Sequence, residues 1–144
     1  MEKNIIDGMN QLLTNVLDYK EVLQKLADSI SDNPTSEKIK EFAKVADKES
    51  KELIQLISDL GGEAETTERQ TDQASIGWFS GSPDTKDMTS VLEYLVEAER
   101  NREEEYSTVI QHDKLERPHK NRLIKHRKEA EANLKYFQTA LQAK

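Results

Sequence analysis

Cysteine is absent from this chain of 144 residues, and proline, glycine and aromatic residues are scarce. The absence of cysteine excludes disulfides, thiolate zinc sites, iron–sulfur clusters and cysteine nucleophiles, so any metal ligands must be carboxylates or imidazoles. With three Pro, five Gly and an aromatic content of 6%, the chain has few of the residues that favour strands and tight turns. The composition therefore favours an all-α protein, and the length suits one domain with one core.

The chain also lacks a long apolar run and an excess of positive charge. It has 21 Lys and Arg against 28 Asp and Glu, a net charge of −7, which disfavours nonspecific attraction to nucleic acid and to anionic lipid. No apolar run is long enough to cross a bilayer, and the first residues do not form the apolar core of a signal peptide. We therefore expect a cytoplasmic protein that binds neither nucleic acid nor membranes.

Apolar side chains recur at steps of three and four residues, the spacing of amphipathic helices. This periodicity predicts helices over residues 4–31, 36–60, 85–112 and 117–142. Pro34 separates the first two helices, the Gly61-Gly62 pair ends the second, and Pro118 fits the first turn of the fourth. The pattern predicts one domain, residues 1–144, that folds as a four-helix bundle.

Residues 61–84 have no helical periodicity and connect the second helix to the third. A connection of this length can cross the whole bundle, which would make those two helices parallel. Its aromatic side chains, Trp78 and Phe79, are expected to bury area against the helices. The prediction is a bundle of two antiparallel hairpins joined by a long crossover.

Charged residues interrupt the apolar stripes of the predicted helices. They are Lys20, Glu49, Glu99, Arg102 and Arg127. Counting along the helices from the predicted turns places these residues at one height of the bundle. Burying an unpaired charge costs several kcal/mol, so such a group must neutralise itself or bind a ligand. We predict an ionic layer, made of these five residues, that neutralises itself and sets the register of the helices.

A metal site is the alternative to this ionic layer. Its candidate ligands are Glu49, Glu52, Glu99 and His126. Carboxylates with an imidazole suit iron or manganese, which would give metal storage or oxidase chemistry. Arg102 and Arg127 argue against this alternative because a cation repels a metal ion. His126 itself lies beside the predicted apolar stripe and is expected at a solvated edge.

Three segments carry a family resemblance: residues 53–63, which end the second helix, the sequence Ile76-Gly77-Trp78, and residues 92–101 of the third helix. In this order they resemble the ferritin-like superfamily and, more closely, a bacterial four-helix family called domain of unknown function 2383. The resemblance covers nearly the whole chain. It implies an antiparallel four-helix bundle with a long crossover between helices 2 and 3, and a homo-oligomer, in the simplest case a dimer.

The resemblance also implies where a di-iron site would lie, because ferritin-like proteins use one Glu on each of two helices and a Glu-x-x-His pair on each of the others. Aligned on the Leu-Gly-Gly ending, the second-helix pair falls on Ala46 and Glu49, and the fourth-helix stripe offers Arg127 and Ala130. Neither stripe keeps a Glu-x-x-His pair, so the resemblance implies a degenerate site without metal. No phosphate loop or nucleophile elbow is present. We predict no catalytic residues and a structural or protein-interaction role.

Overall fold

The computed structural model describes residues 3–66 and 75–143. Its elements are α1 (Lys3–Ser29), α2 (Asn33–Asp59), β1 (Ser75–Ile76), β2 (Phe79–Ser80), α3 (Met88–Ile110) and α4 (Arg117–Gln142). The predicted all-α bundle of four helices is therefore confirmed. None of the described helices is long and apolar enough to span a membrane.

The starts of α2 and α3 differ by three residues from the predicted ones, because each helix begins directly after an aspartate that caps it. Asp32 caps α2, its carboxylate accepting a hydrogen bond from the Thr35 amide at 3.0 Å. Asp87 caps α3 in the same way through the Thr89 amide at 3.1 Å. Each carboxylate satisfies one of the free amides of a first helical turn, so the helix begins directly after it.

The helices pair as two antiparallel hairpins, α1 with α2 and α3 with α4. A Cβ atom built on Gly62, just beyond α2, would lie 2.7 Å from Ile6 near the start of α1. A Cβ atom on Gly8 would lie 3.7 Å from Val109 near the end of α3. The C-terminal ends of α2 and α3 thus meet the same end of α1, which confirms that α2 and α3 are parallel.

The crossover returns along the bundle through a short antiparallel hairpin, β1 paired with β2 around Gly77. Gly77 has φ +57°, a conformation that favours glycine. Trp78 and Phe79 are 4% and 3% exposed, as expected for side chains that fix the crossover to the helices. The Trp78 indole donates a hydrogen bond to Glu105 of α3 at 2.7 Å. Residues 67–74 of the predicted crossover lie outside the described residues.

Candidate functional site

Midway along the bundle the apolar core contains a group of polar side chains from all four helices. We call this group the polar layer; it consists of Tyr19, Glu49, Glu99, Arg102, Tyr106, His126 and Asn133, none more than 7% exposed. Buried polar groups at this density must satisfy one another, because water cannot reach them. The layer is therefore the candidate functional site of the bundle.

Arg102 joins the two glutamates of the layer. Its Nη2 lies 2.5 Å from Oε1 of Glu49 on α2, and its Nη1 lies 2.9 Å from Oε1 of Glu99 on α3. The guanidinium carbon also lies 4.8 Å from the centre of the Tyr19 ring, within cation–π range. One fully buried cation thus bridges carboxylates from two helices and packs against a third.

Two features of the sequence place these charged groups together. Glu99 and Arg102 are three residues apart on α3, so they share one helix face. Glu49 lies in the buried row of α2, between Ala46 and Leu53. Because α2 and α3 run parallel, their central residues come to the same height, and the glutamate of α2 meets the arginine of α3.

Tyr19 and Asn133 connect the remaining helices to this ion pair. The Tyr19 hydroxyl donates a hydrogen bond to Oε2 of Glu99. The Asn133 amide fits with its oxygen accepting from Nη1 of Arg102 at 3.3 Å and its nitrogen donating to the Glu129 carbonyl at 3.1 Å. Nη1 of Arg102 also donates to the Tyr19 hydroxyl at 3.4 Å. The hydrogen bonds of Arg102 therefore reach side chains on α1, α2, α3 and α4.

A second branch of the layer leads toward the surface. His126 Nδ1 lies 3.2 Å from the Tyr106 hydroxyl, and its Nε2 lies 2.9 Å from Oε1 of Glu52, whose side chain is 37% exposed. Burial lowers the pKa of His126, although Glu52 opposes this effect. A neutral imidazole here donates from Nε2 to Glu52 and accepts from the Tyr106 hydroxyl at Nδ1.

Burial dominates the ionisation of the charged groups. It raises the pKa of Glu49 well above the usual carboxyl value and raises that of Glu99, while Arg102 counteracts both shifts. For Arg102, burial acts to lower the pKa, but the two glutamates hold it well above its usual value. The arginine is therefore charged at every physiological pH, and the layer always contains a cation.

The structure brings together Glu49, Glu99 and Arg102 of the predicted ionic layer and places the other two members elsewhere. Lys20 pairs with Asp47 at 3.3 Å near the surface. Arg127 was expected to face inward, but its side chain is 29% exposed; Nη1 donates to Ser107 at 3.2 Å and Nε lies 3.8 Å from Glu131. The prediction for Arg127 is wrong, and Lys20, predicted as a member of the layer, pairs with Asp47 outside it.

The prediction for Arg127 is wrong because the buried residues of α4 form a neighbouring row on the helix. Its buried residues are Leu123, His126, Ala130, Asn133 and Phe137. Two of these five are polar, so the apolar pattern favoured a neighbouring row that contains Arg127. His126 was expected at a solvated edge and is instead 2% exposed. The residues of the buried row follow one another by strict steps of three and four, and this spacing is the signal in the sequence that could have identified the row.

The four residues predicted as ligands in the metal-binding alternative are not arranged as a metal site. Glu49 and Glu99 both bind Arg102, while Glu52 and His126 bind each other. Across residues 3–66 and 75–143, no three His, Asp or Glu side chains are grouped so as to hold a metal ion. The carboxylates of the layer surround a guanidinium.

The two hairpins, the long crossover and the parallel central helices define a ferritin-like four-helix bundle. Solved structures of Dps proteins from Mycobacterium smegmatis are similar to it. A Dps1 mutant is 16% identical with a TM-score of 0.81, covering 98% of this chain and 99% of that chain. A tetragonal form of Dps is 17% identical with a TM-score of 0.82, covering 96% and 86% respectively. At this identity the likeness shows the fold alone.

No family model and no curated protein matches the chain. The resemblance to domain of unknown function 2383 therefore stays a prediction, whereas the ferritin-like fold rests on the structure and its neighbours.

Proposed function

We propose that this chain is a non-catalytic, cytoplasmic bundle protein with a structural or protein-interaction role, in which Arg102 supplies the central positive charge instead of metal ions. One observation carries the proposal: the buried guanidinium binds Glu49 at 2.5 Å and Glu99 at 2.9 Å. Arginine keeps its charge at any physiological pH and matches the geometry of carboxylates. The ion pair holds α2 and α3 in register through the centre of the bundle.

Electrostatics support this proposal over metal binding. A divalent cation approaching the same carboxylates would be repelled by Arg102 at close range, in surroundings of low dielectric constant. Expelling the arginine would remove its hydrogen bonds to two glutamates and leave a charged side chain without partners, at a cost of several kcal/mol. Metal binding would have to supply this free energy before it gained any affinity.

The burial of the layer also disfavours catalysis. Its members are at most 7% exposed, and Trp78 packs edge-on against Tyr19 with their ring centres 5.7 Å apart. A substrate would have to displace the crossover and part of the core to reach these side chains. The polar groups are well arranged to stabilise one another and poorly placed to contact a reactant.

The interaction role is proposed to begin with self-association into a homodimer. Phe42 of α2 and Tyr136 of α4 are only partly buried, and their ring centres lie 5.8 Å apart. Oligomers of helical bundles are commonly symmetric and use one patch on both copies. Light scattering during gel filtration should give twice the chain mass of 16.5 kDa; a monomer at high micromolar concentration would contradict the dimer.

Metal content tests the proposal against its alternative, an iron- or manganese-binding protein. Protein purified without chelator is exposed to ferrous iron or manganese under anaerobic conditions, passed through gel filtration and analysed by elemental mass spectrometry. We expect much less than one equivalent of either metal to remain. Retention of about two equivalents, lost in Glu49→Ala, would restore a ferritin-type function.

A further inference from the structure

The seam between α2 and α4 lies on the side of the bundle opposite the crossover. The crossover packs on the other side, where Trp78 contacts a tyrosine ring of α1 and a tyrosine ring of α3. At the α2–α4 seam the helices meet through the rings of Phe42 and Tyr136, 5.8 Å apart, but α2 packs mainly on α1 and α4 mainly on α3. No described segment of the crossover covers this seam, so side chains of α2 that border it are open to a partner.

A row of side chains on α2 runs along this seam. We call it the α2 stripe; it consists of Lys38, Glu41, Val45, Lys48 and Glu52. Steps of three and four residues keep these side chains on one face of the helix. At one end of the stripe, the Lys38 ammonium lies 5.3 Å from the centre of the Tyr136 ring on α4. At the other end, Glu52 binds His126 on α4 at 2.9 Å, so both ends of the stripe lie beside α4.

The charges of the α2 stripe alternate about Val45 in an order that complements itself. Lys38 and Glu52 lie seven residues before and after Val45, while Glu41 lies four before it and Lys48 three after it. In two antiparallel helices related by a two-fold axis at Val45, residues at similar offsets on opposite sides of Val45 meet. Lys38 then faces the partner's Glu52, and Glu41 faces the partner's Lys48. A parallel pair in register would instead oppose like charges.

The side chains of the stripe are available for such contacts. Val45 is 37% exposed, and it is the only exposed large apolar side chain among residues 3–66 and 75–143; pairing with its symmetry mate would remove it from water. Lys38 lies 3.8 Å from Glu41 in an exposed ion pair, which is weak and easily exchanged. Glu52 uses one carboxylate oxygen for His126, so its other oxygen can accept from an ammonium group.

We propose that the α2 stripe is the surface at which a second copy of this chain docks, with the two α2 helices antiparallel and Val45 at the two-fold axis. The partner is a second copy because the alternation of charge matches its own reverse, whereas a surface of one charge sign would meet both lysines and glutamates. The inference rests on the proposed function, since it specifies how the proposed homodimer is arranged. Phe42 and Tyr136 lie beside the stripe and border the interface.

Two charge reversals test the arrangement, Glu41→Lys and Lys48→Glu. Each variant alone places like charges opposite each other twice in the dimer, and we expect its dimer dissociation constant to rise roughly tenfold or more in sedimentation equilibrium at low salt. In an equimolar mixture of the two variants, every lysine at these positions again faces a glutamate, so the mixture should dimerise as tightly as the wild type. Glu104→Lys and Lys128→Glu are the matched controls, because they make the same charge changes at exposed positions of α3 and α4. Both controls should dimerise like the wild type.

The outcomes separate this inference from the proposed homodimer itself. A dimeric wild type whose affinity is unchanged by either reversal would overturn the α2 stripe and leave the homodimer with another interface. Weakening by both reversals without recovery in the mixture would overturn the antiparallel pairing of Glu41 with the partner's Lys48. A wild type that is monomeric at high micromolar concentration would overturn both proposals and leave the stripe to a different protein partner.

Discussion

Replacing Arg102 with methionine removes the buried cation and keeps much of its volume. In the wild type the guanidinium bridges Glu49 and Glu99, which are 2% and 0% exposed. The substitution leaves both carboxyl groups in a low-dielectric core without the positive charge that offsets their burial. They must then ionise unpaired or take up protons, and either response opposes folding at neutral pH.

The expected loss is large for a single substitution. Removing one partner of a buried ion pair typically costs about 3–5 kcal/mol, and here one cation serves two carboxylates. A domain of this size has a free energy of unfolding of about 5–15 kcal/mol, so the variant should remain folded but melt far below the wild type. Arg102→Lys should recover only part of the loss, since an ammonium group does not reproduce the fork that reaches both glutamates.

The decisive comparison is with apolar replacement of the whole group. In the triple variant Glu49→Leu, Glu99→Leu, Arg102→Met, no buried charge is left without a partner, and we expect much less destabilisation than the sum of the three single losses. The assay is urea unfolding followed by circular dichroism at pH 7, with free energies from linear extrapolation. Additive losses within about 0.5 kcal/mol would refute the claim that the three side chains act as one network.

Three further substitutions and one titration test other parts of the account. Gly62→Ala should lower the free energy of unfolding by about 1–3 kcal/mol, because its Cβ would lie 2.7 Å from a packed side chain. In Gly8→Ala the nearest atom to the new Cβ would be 3.7 Å away, so this substitution should raise the free energy of unfolding by up to about 1 kcal/mol. Urea unfolding measures both changes. Trp78→Phe keeps an aromatic ring but removes the hydrogen bond to Glu105, and should cost about 2 kcal/mol in the same assay. His126 should titrate by NMR below the ordinary histidine pKa of about 6.5, since burial lowers its pKa. Its contribution to the stability of the fold is fully present above about pH 6.5 and is lost as the pH falls toward the lowered pKa of His126.

The fold could be predicted from the sequence because its determinants are local and repeated. Apolar steps of three and four residues define each helix, and the length of the crossover determines that α2 and α3 are parallel. The parallel arrangement then places Glu49 beside the α3 residues Glu99 and Arg102. These predictions needed only helix geometry and the length of one connection.

The polar layer was only partly predictable, because polar residues were recognised by their interruption of an apolar pattern. Tyr19 and Tyr106 did not interrupt it, since an aromatic ring packs like an apolar side chain while its hydroxyl finds a partner. His126 and Asn133 are polar members of the buried row of α4. Because they interrupt its apolar pattern, the prediction placed Arg127, one residue after His126, in the core instead. A rotation of one residue is about 100° on a helix, enough to exchange a buried side chain for a half-exposed one.

The most direct test of the central claim is a high-resolution crystal structure of the protein grown with millimolar manganese, with anomalous scattering measured to locate the metal. The account predicts guanidinium density from Arg102 in contact with both Glu49 and Glu99, and no anomalous peak within the polar layer. An anomalous peak bridging the two carboxylates, with Arg102 displaced, would contradict the proposal that arginine takes the place of the metal.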